Sequence, residues 1–469
     1  MTLEKQTLNL LEEALEILAE GFQKLPELQV KSDLEAMKPV LLEVAKRMQD
    51  NFPYHHPLYA GQMIKPPVPV ARIAYMLAMW INPNNHALDG GRASSVMEKE
   101  AVNEIARMFD WESHLGHLCS GGTMANLEAL WIASLQRPGK KIIASSQAHY
   151  THQRLCGVLG IPFSTVECDY RGSIDINALE NLLETGEVGT VVVNMGTTSM
   201  GAVDPLPEVL QLQSKYDFRI HADAAYGGYF TLADNLDVST RKAFDSLSLV
   251  DSIVIDPHKH GLQPYGCGCV LFKDVSVGTH YKHDSPCTYF SSDDFHLGEI
   301  TLECSRPGAA AVALWATQKL LPMDKDGEFA GNLSQSREAA LILFEKLQAD
   351  KRFITAFPPQ LDIVVWFPKA KSVSEATKLS KIIFEKAASQ NLHLALAQLP
   401  IEFFKDNLEY QNKYQDKNKN KNNNNNLNME WDEEYITCLR SCLMKPEHLE
   451  WLDEIWRILD GVMDDNVGV

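Results

Sequence analysis

The chain has 469 residues, with 43 Lys plus Arg against 62 Asp plus Glu, a net charge of −19. At about 100–200 residues per domain this length allows several domains and at least one large core. An acidic chain without a basic block is a poor partner for nucleic-acid phosphates or an anionic membrane surface, so neither is expected to bind it.

Residues 1–50 read as two helices, because Leu8, Leu10, Leu11, Leu15 and Leu18 approximate a helical period and Val40, Leu41, Leu42, Val44 and Met48 form a second apolar set. The opening stretch has no basic n-region or apolar h-region, so it is not read as a secretory signal. A connector with Pro53, Pro57, Pro66, Pro67 and Pro69 comes next, then a helix over about Val70–Ile81. The apolar run Val68–Ile81 contains Arg72 and falls short of the roughly 20 residues a membrane span needs. Helices are predicted over Val96–Met108 and Met124–Leu135. β-rich runs recur at Lys141–Ala144, Thr190–Val193, Arg219–Ala222, Ser252–Ile255 and Cys269–Phe272, with helical stretches at Ile176–Leu183 and Leu206–Tyr216. This alternation predicts an α/β fold with a mostly parallel sheet flanked by helices. A helix over Ala309–Leu321 leads to a second set of elements that includes strands near Leu361–Phe367 and Tyr435–Met444. The expected division is an N-terminal helical segment (1–85), a large domain (86–310) and a small α+β domain (311–469). The Asn- and Lys-rich stretch Asp416–Asn428 cannot bury apolar surface and reads as a disordered insertion. Nine scattered cysteines do not form a secreted disulfide framework, so reduced thiols and a cytoplasmic location are expected.

Five motifs carry chemistry. Ser120-Gly121-Gly122-Thr123 precedes a helix, whose free N–H groups and positive dipole end make a phosphate seat. Neither GxGxxG nor GxxxxGK[ST] fits here, which disfavours nicotinamide cofactors and nucleoside triphosphates. His149 comes after a strand and could stack on a flat ring. Gly196-Thr197-Thr198 forms a polar turn after the next strand. Asp223, in His221-Ala-Asp-Ala-Ala-Tyr-Gly-Gly228, sits where an apolar strand ends and calls for a cationic partner such as a protonated pyridine nitrogen. Ala225 beside it leaves room for a planar ring. Lys259, in Asp256-Pro-His-Lys-His-Gly261, comes after the apolar run Ser252–Ile255, where desolvation can make an amine nucleophilic. Singly, each has a plainer reading: a turn, a loop histidine, a helix-capping Asp, a surface Lys. Together they supply the handles of pyridoxal 5'-phosphate. Asp223 and Lys259 are separated by enough chain for one helical crossover and the next strand.

The SGGT, AHYTH, HADAAYGG and DPHK segments, with His56-Pro57 and Ser305-Arg306-Pro307-Gly308, resemble the group II amino-acid decarboxylases, pyridoxal-phosphate enzymes of fold type I. DPHKHGL and SGGTMANL are most similar to the tyrosine/aspartate branch; glutamate decarboxylases and, more distantly, sphingosine-phosphate lyase are also similar. The resemblance implies decarboxylation of an L-amino acid to an amine and CO2 by a homodimer. It assigns the imine to Lys259, the ring nitrogen to Asp223, stacking to His149 and the opposite ring face to Ala225. Gly121, Gly122, Thr123 and His258 would surround the phosphate, and Thr198 or Thr197 would touch the cofactor edge. Arg440 would hold the substrate carboxylate, while His56 and Gln62 would line the substrate pocket. Tyr289 would return a proton to the substrate carbon, with Tyr281 in reserve. Many relatives have Asn where this chain has Asp256, so Asp256 is not assigned to the phosphate.

The pairs His114/His117, His149/His152 and Cys267/Cys269 lack the far ligands of a zinc site, and no metal is expected. The alternatives are a carbon–carbon lyase like sphingosine-phosphate lyase, disfavoured because no Lys/Arg cluster supplies a second phosphate site, and a catalytically dead binding module, disfavoured by the intact Lys259 and Asp223.

Overall fold

The computed structural model describes residues 5–26, 32–282, 297, 300–405 and 429–467. Among the described residues, β1 (Leu115–Cys119), β2 (Lys141–Ser145), β3 (Phe163–Val166), β4 (Val188–Asn194), β5 (Arg219–Asp223), β6 (Ser252–Ile255) and β7 (Gly268–Phe272) form one sheet, in the order β1-β7-β6-β5-β4-β2-β3. The pairs from β3 through β6 are parallel. β7 is antiparallel to both β6 and β1, so β1 points the same way as β6. The carboxyl ends of all strands but β7 therefore share one edge. Parallel sheets need helices on both faces, and their central strands carry apolar residues on both sides. β4, Val-Gly-Thr-Val-Val-Val-Asn, is buried throughout. Its alternation sends Val191 and Val193 into one core cluster, with Ile220, Ile253 and Ile255, and Val192 into another, with Ile142 and Ala144.

The second sheet, β10-β11-β9-β8, is antiparallel, with β8 at Phe353–Thr355, β9 at Ile363–Pro368, β10 at Ala395–Pro400 and β11 at Tyr435–Cys442. The helices Glu328–Ala349, Val373–Ser389 and His448–Val467 pack with it, and Trp366 is fully buried in their shared core. The connector after residue 50 runs onto this unit: Ala60 donates its N–H to His393 O, and Cys442 donates to Ala60 O.

The N-terminal helices Lys5–Glu20 and Leu34–Met48 are amphipathic, as their spacing predicts; the first buries Leu11 and half-buries Leu15 and Leu18, whereas the apolar face of the second is not covered. The second has no buried residue, and Leu34, Val40, Leu41, Leu42, Val44 and Met48 are all exposed. No described helix is long and apolar enough to cross a membrane. The stretch Asp416–Asn428 lies outside the described residues.

Candidate active site

The shared strand edge opens into a cavity of about 370 Å³. Its wall is built from the segments at the strand ends: Ser120–Met124 after β1, His149 after β2, Gly196–Thr198 after β4, Asp223 and Ala225 at the end of β5, and Asp256, His258 and Lys259 after β6. Register fixes two anchor points. Asn194 pairs with Asp223, and Asp223 with Val254, so the carboxylate and the lysine rise from neighbouring strands. Crevices at the carboxyl ends of parallel strands are the usual ligand sites of such sheets.

Gly121 has φ of +152°, in a region few side chains tolerate, and caps the helix Gly122–Gln136 without a side-chain acceptor. The first-turn N–H groups of that helix are thus left to an external anion. His258 stands beside Gly121; its Nδ1 is 2.8 Å from Cys267 O, and its ring packs on Tyr265 with centroids 4.6 Å apart.

Asp223 shows how a buried carboxylate stays ionised. Burial alone would raise its pKa, but the hydrogen bond and charge of His152, helped by Lys259, hold it well below the usual carboxylate range. Oδ2 lies 2.8 Å from His152 Nε2, and Oδ1 accepts the Ala225 N–H at 3.1 Å. His149 lines the same cavity, with Nδ1 engaged by Thr151 Oγ1 and its pKa lowered by burial. A neutral imidazole is suited to lie on an aromatic ring. Lys259 Nζ sits 3.0 Å from Asp256 Oδ2.

A flat cofactor with a phosphate tail fits these residues. The cradle at Gly121 and Gly122 has no side chain to fill it, and the donors, ring partners and amine converge on one cavity.

Behind Tyr226, which lines the cavity, the small sheet contributes a second layer. Tyr226 OH donates to Asp362 at 2.5 Å and lies 3.4 Å from Cys442 Sγ. Arg440 on β11 is not among the residues lining the cavity; it gives one Nη1 bond, 3.2 Å, to Gly61 O, and its Nε and Nη2 are buried with no partner among the described residues. Lys65 donates to Met444 O at 3.0 Å and Lys445 to Tyr59 O at 2.7 Å, and burial pushes the pKa of each down to about 8.

Lys259, Asp223, His149, Ala225, His258, Gly121, Gly122, Thr123, Thr197 and Thr198 all meet at the cavity. Three other expectations fare differently. His56 does not line the cavity: its ring packs edge-on against Trp451, 4.6 Å away, and its Nδ1 accepts the Leu58 N–H. Gln62 is absent from the lining too, its N–H donating to Tyr59 OH. Both belong to a connector that packs on the small sheet. Tyr281 is no proton donor for this site, because it does not line the cavity and is buried against the helix Gly122–Gln136. Its hydroxyl donates to Glu128, and burial raises its pKa. Tyr289 lies outside the described residues. Arg306 of the SRPG segment is structural, joining Glu98, Leu118 O and Asn85 O.

The sequence reading missed His152, which partners Asp223, and Tyr265, which covers His258. His152 lies three residues after His149, and that offset is the one signal that could have exposed it. It places the imidazole inside a helix turned toward β5, a direction only the fold supplies.

Residues 53–368 match the model of the pyridoxal-dependent decarboxylase conserved domain. The chain belongs to the pyridoxal-dependent decarboxylase family. It is 26% identical to an L-tyrosine decarboxylase of Enterococcus faecium, over 87% of this chain and 85% of the relative. It is 29% identical to an L-aspartate decarboxylase of Thermococcus kodakarensis, over 61% and 73%. Among solved structures, the Oryza sativa TDC with PLP and tryptamine superposes with a TM-score of 0.75 at 15% identity, covering 99% of both chains. That last likeness confirms the fold. The decarboxylase is thus a pyridoxal-phosphate enzyme that removes CO2 from an amino acid, and the carbon–carbon lyase alternative is disfavoured.

Proposed function

We propose that this decarboxylase takes an acidic L-amino acid, held by Arg440, and that Lys259 carries its cofactor. The observation behind the assignment of Lys259 is its position beside Asp223, on neighbouring parallel strands that open into one cavity with a free helix N-terminus. The phosphate would rest on Gly121, Gly122 and Thr123 beside His258. Asp223 would hold a proton on the ring nitrogen, His149 and Ala225 would take the two ring faces, and Thr198 would meet the cofactor edge. Bound pyridoxal phosphate supplies the electron sink for the bond to the carboxylate. Arg440, with two donors unspent, would hold that carboxylate and orient it. His149, or Tyr289, would return a proton to the substrate carbon, and Lys259 would serve in release of the amine.

The acidic preference rests on buried charge. Arg440, Lys65 and Lys445 crowd around Cys442, with Asp362 the buried carboxylate among them. Such an excess of buried cations favours a second carboxylate on the substrate over a phenol. The named relatives include both tyrosine and aspartate decarboxylases.

The uncovered face of the helix Leu34–Met48 supports a homodimer. The eight free cysteines among the described residues fit a reducing cytoplasm.

The test is a panel of carboxyl-labelled amino acids. Labelled CO2 should come fastest from aspartate or glutamate, with an amine that keeps its whole side chain. Faster release from tyrosine would overturn the acidic preference, and an aldehyde or keto acid as product would overturn the chemistry. Borohydride should fix the cofactor on Lys259; an adduct on another lysine would sink that assignment.

A further inference from the structure

Asp256 is an anion placed in an anion site. It is 2% exposed; its Oδ2 lies 3.0 Å from Lys259 Nζ and 3.6 Å from His258 Nε2, and Oδ1 has no hydrogen-bond partner among the described residues. It presses on the seat itself, since a Cβ on Gly122 would stand 2.7 Å from Oδ2 and 3.1 Å from Oδ1. Gly122 opens the helix whose first turn would receive the phosphate. A carboxylate and a phosphate would then share one dry floor, where like charges cannot both remain at full strength.

The surrounding groups offer little relief. On its own loop Asp256 faces Lys259 and His258, and His149 approaches from across the cavity. Burial lowers the pKa of both histidines and keeps them neutral. Tyr265, Cys267 and Cys269, from the segment leading into β7, and Tyr229, from the turn after β5, are also held neutral by burial. Among these groups Lys259 is the cation paired with Asp256, and cofactor attachment takes its amine away from that pairing. Joining Nζ to an aldehyde carbon expels water and leaves the charge on nitrogen, so attachment moves no net proton. The nitrogen's N–H donors nevertheless fall from three to one.

We infer that Asp256 takes up one proton from solvent when pyridoxal phosphate loads, and as a neutral acid donates a hydrogen bond to the phosphate. Loading therefore consumes a proton, and the empty form, with its Asp256–Lys259 ion pair, gains ground as pH rises. This rests on the proposed attachment at Lys259 and phosphate seat at Gly121–Thr123.

Titration calorimetry of the cofactor-free dimer with pyridoxal phosphate, in buffers of different ionisation enthalpy, counts the proton. Wild type should take up about one proton more than Asp256→Asn. Wild-type affinity should fall about tenfold per pH unit over the range of that uptake, and the affinity of Asp256→Asn should stay nearly flat. Equal proton counts in the two proteins would overturn the inference. The wild type alone gives a second measurement: a protonated-carboxyl stretch should emerge in the infrared difference spectrum on loading, and its absence would overturn the inference even if Asp256→Asn fails to fold. Borohydride fixation separates the two failures. An adduct away from Lys259 sinks the proposed site, whereas an adduct on Lys259 without the extra proton sinks only the role of Asp256.

Discussion

Asp223 depends on His152, a histidine with 1% of its side chain exposed. Replacing it by Phe removes a hydrogen bond to a charged group, worth about 1.5–3 kcal/mol. His152→Phe should lower kcat by roughly 10–100-fold while leaving the Lys259 adduct intact, and steady-state kinetics with borohydride labelling would check both. Asp223→Ala should cost more, about 3–4 kcal/mol, because on the proposed assignment the ring nitrogen would lose its counter-charge altogether. Lys65 carries the opposite expectation. Its pKa of about 8 in the fold lies below the ordinary lysine value, so the unfolded chain holds the proton more tightly. Wild-type stability should rise as pH climbs from about 8 towards 10, and below 8 the buried charge is a standing cost. Lys65→Met should raise stability at pH 7 by about 1–3 kcal/mol and flatten that alkaline rise, as urea unfolding at several pH values would record. The same change should erode activity on acidic substrates, a trade of stability against function.

At the scale of elements, the helix Leu34–Met48 makes the sharpest claim. A helix with a continuous apolar face and no buried residue is stable only if something covers that face. If the proposed dimer forms through this face, Leu41→Asp with Val44→Asp should convert it to monomer and remove most activity, and sedimentation with an activity assay would show it. That helix was legible from its leucine and valine spacing, as were Ser252–Ile255 and Ile176–Leu183, because burial on one or both faces leaves a periodic mark. β1 and β3 were not legible. Leu-Gly-His-Leu-Cys has no β-branched residue and becomes a strand through its pairing with β7. Phe-Ser-Thr-Val is a short edge strand with two hydroxyl side chains. Of the site, the residues at strand ends could be read because their motifs are contiguous. The positions of His56 and Gln62 could not, since what a Pro-rich connector touches depends on how two sheets dock.

For the whole molecule, two deeply buried imidazoles set the acid limit. Burial pushes His221 and His448 down to about 3, while in the unfolded chain both return to about 6.5. Their folded pKa values are depressed, so the stability tied to their neutral forms is complete above pH 6.5 and is lost as pH falls towards 3. The loss is on the order of 4 kcal/mol per histidine across that window. The urea midpoint should be level near pH 7 and drop steeply between pH 6 and 4; His448→Asn should soften the drop, and a level profile down to pH 4 would contradict this account. The architecture has one more consequence. Asn194, Asp223 and the strand that leads to Lys259 are joined by the ladder of a single sheet, whereas Gly61, Lys65, Arg440 and Lys445 come from the connector, the second sheet and the turn after it. On the proposed assignment, the residues that break the bond and those that choose the amino acid thus come from separate parts of one chain. Grafting residues 54–65 together with 435–446 from a tyrosine-specific relative should transplant taste without touching talent: the borohydride adduct on Lys259 would persist while the favoured amino acid changes.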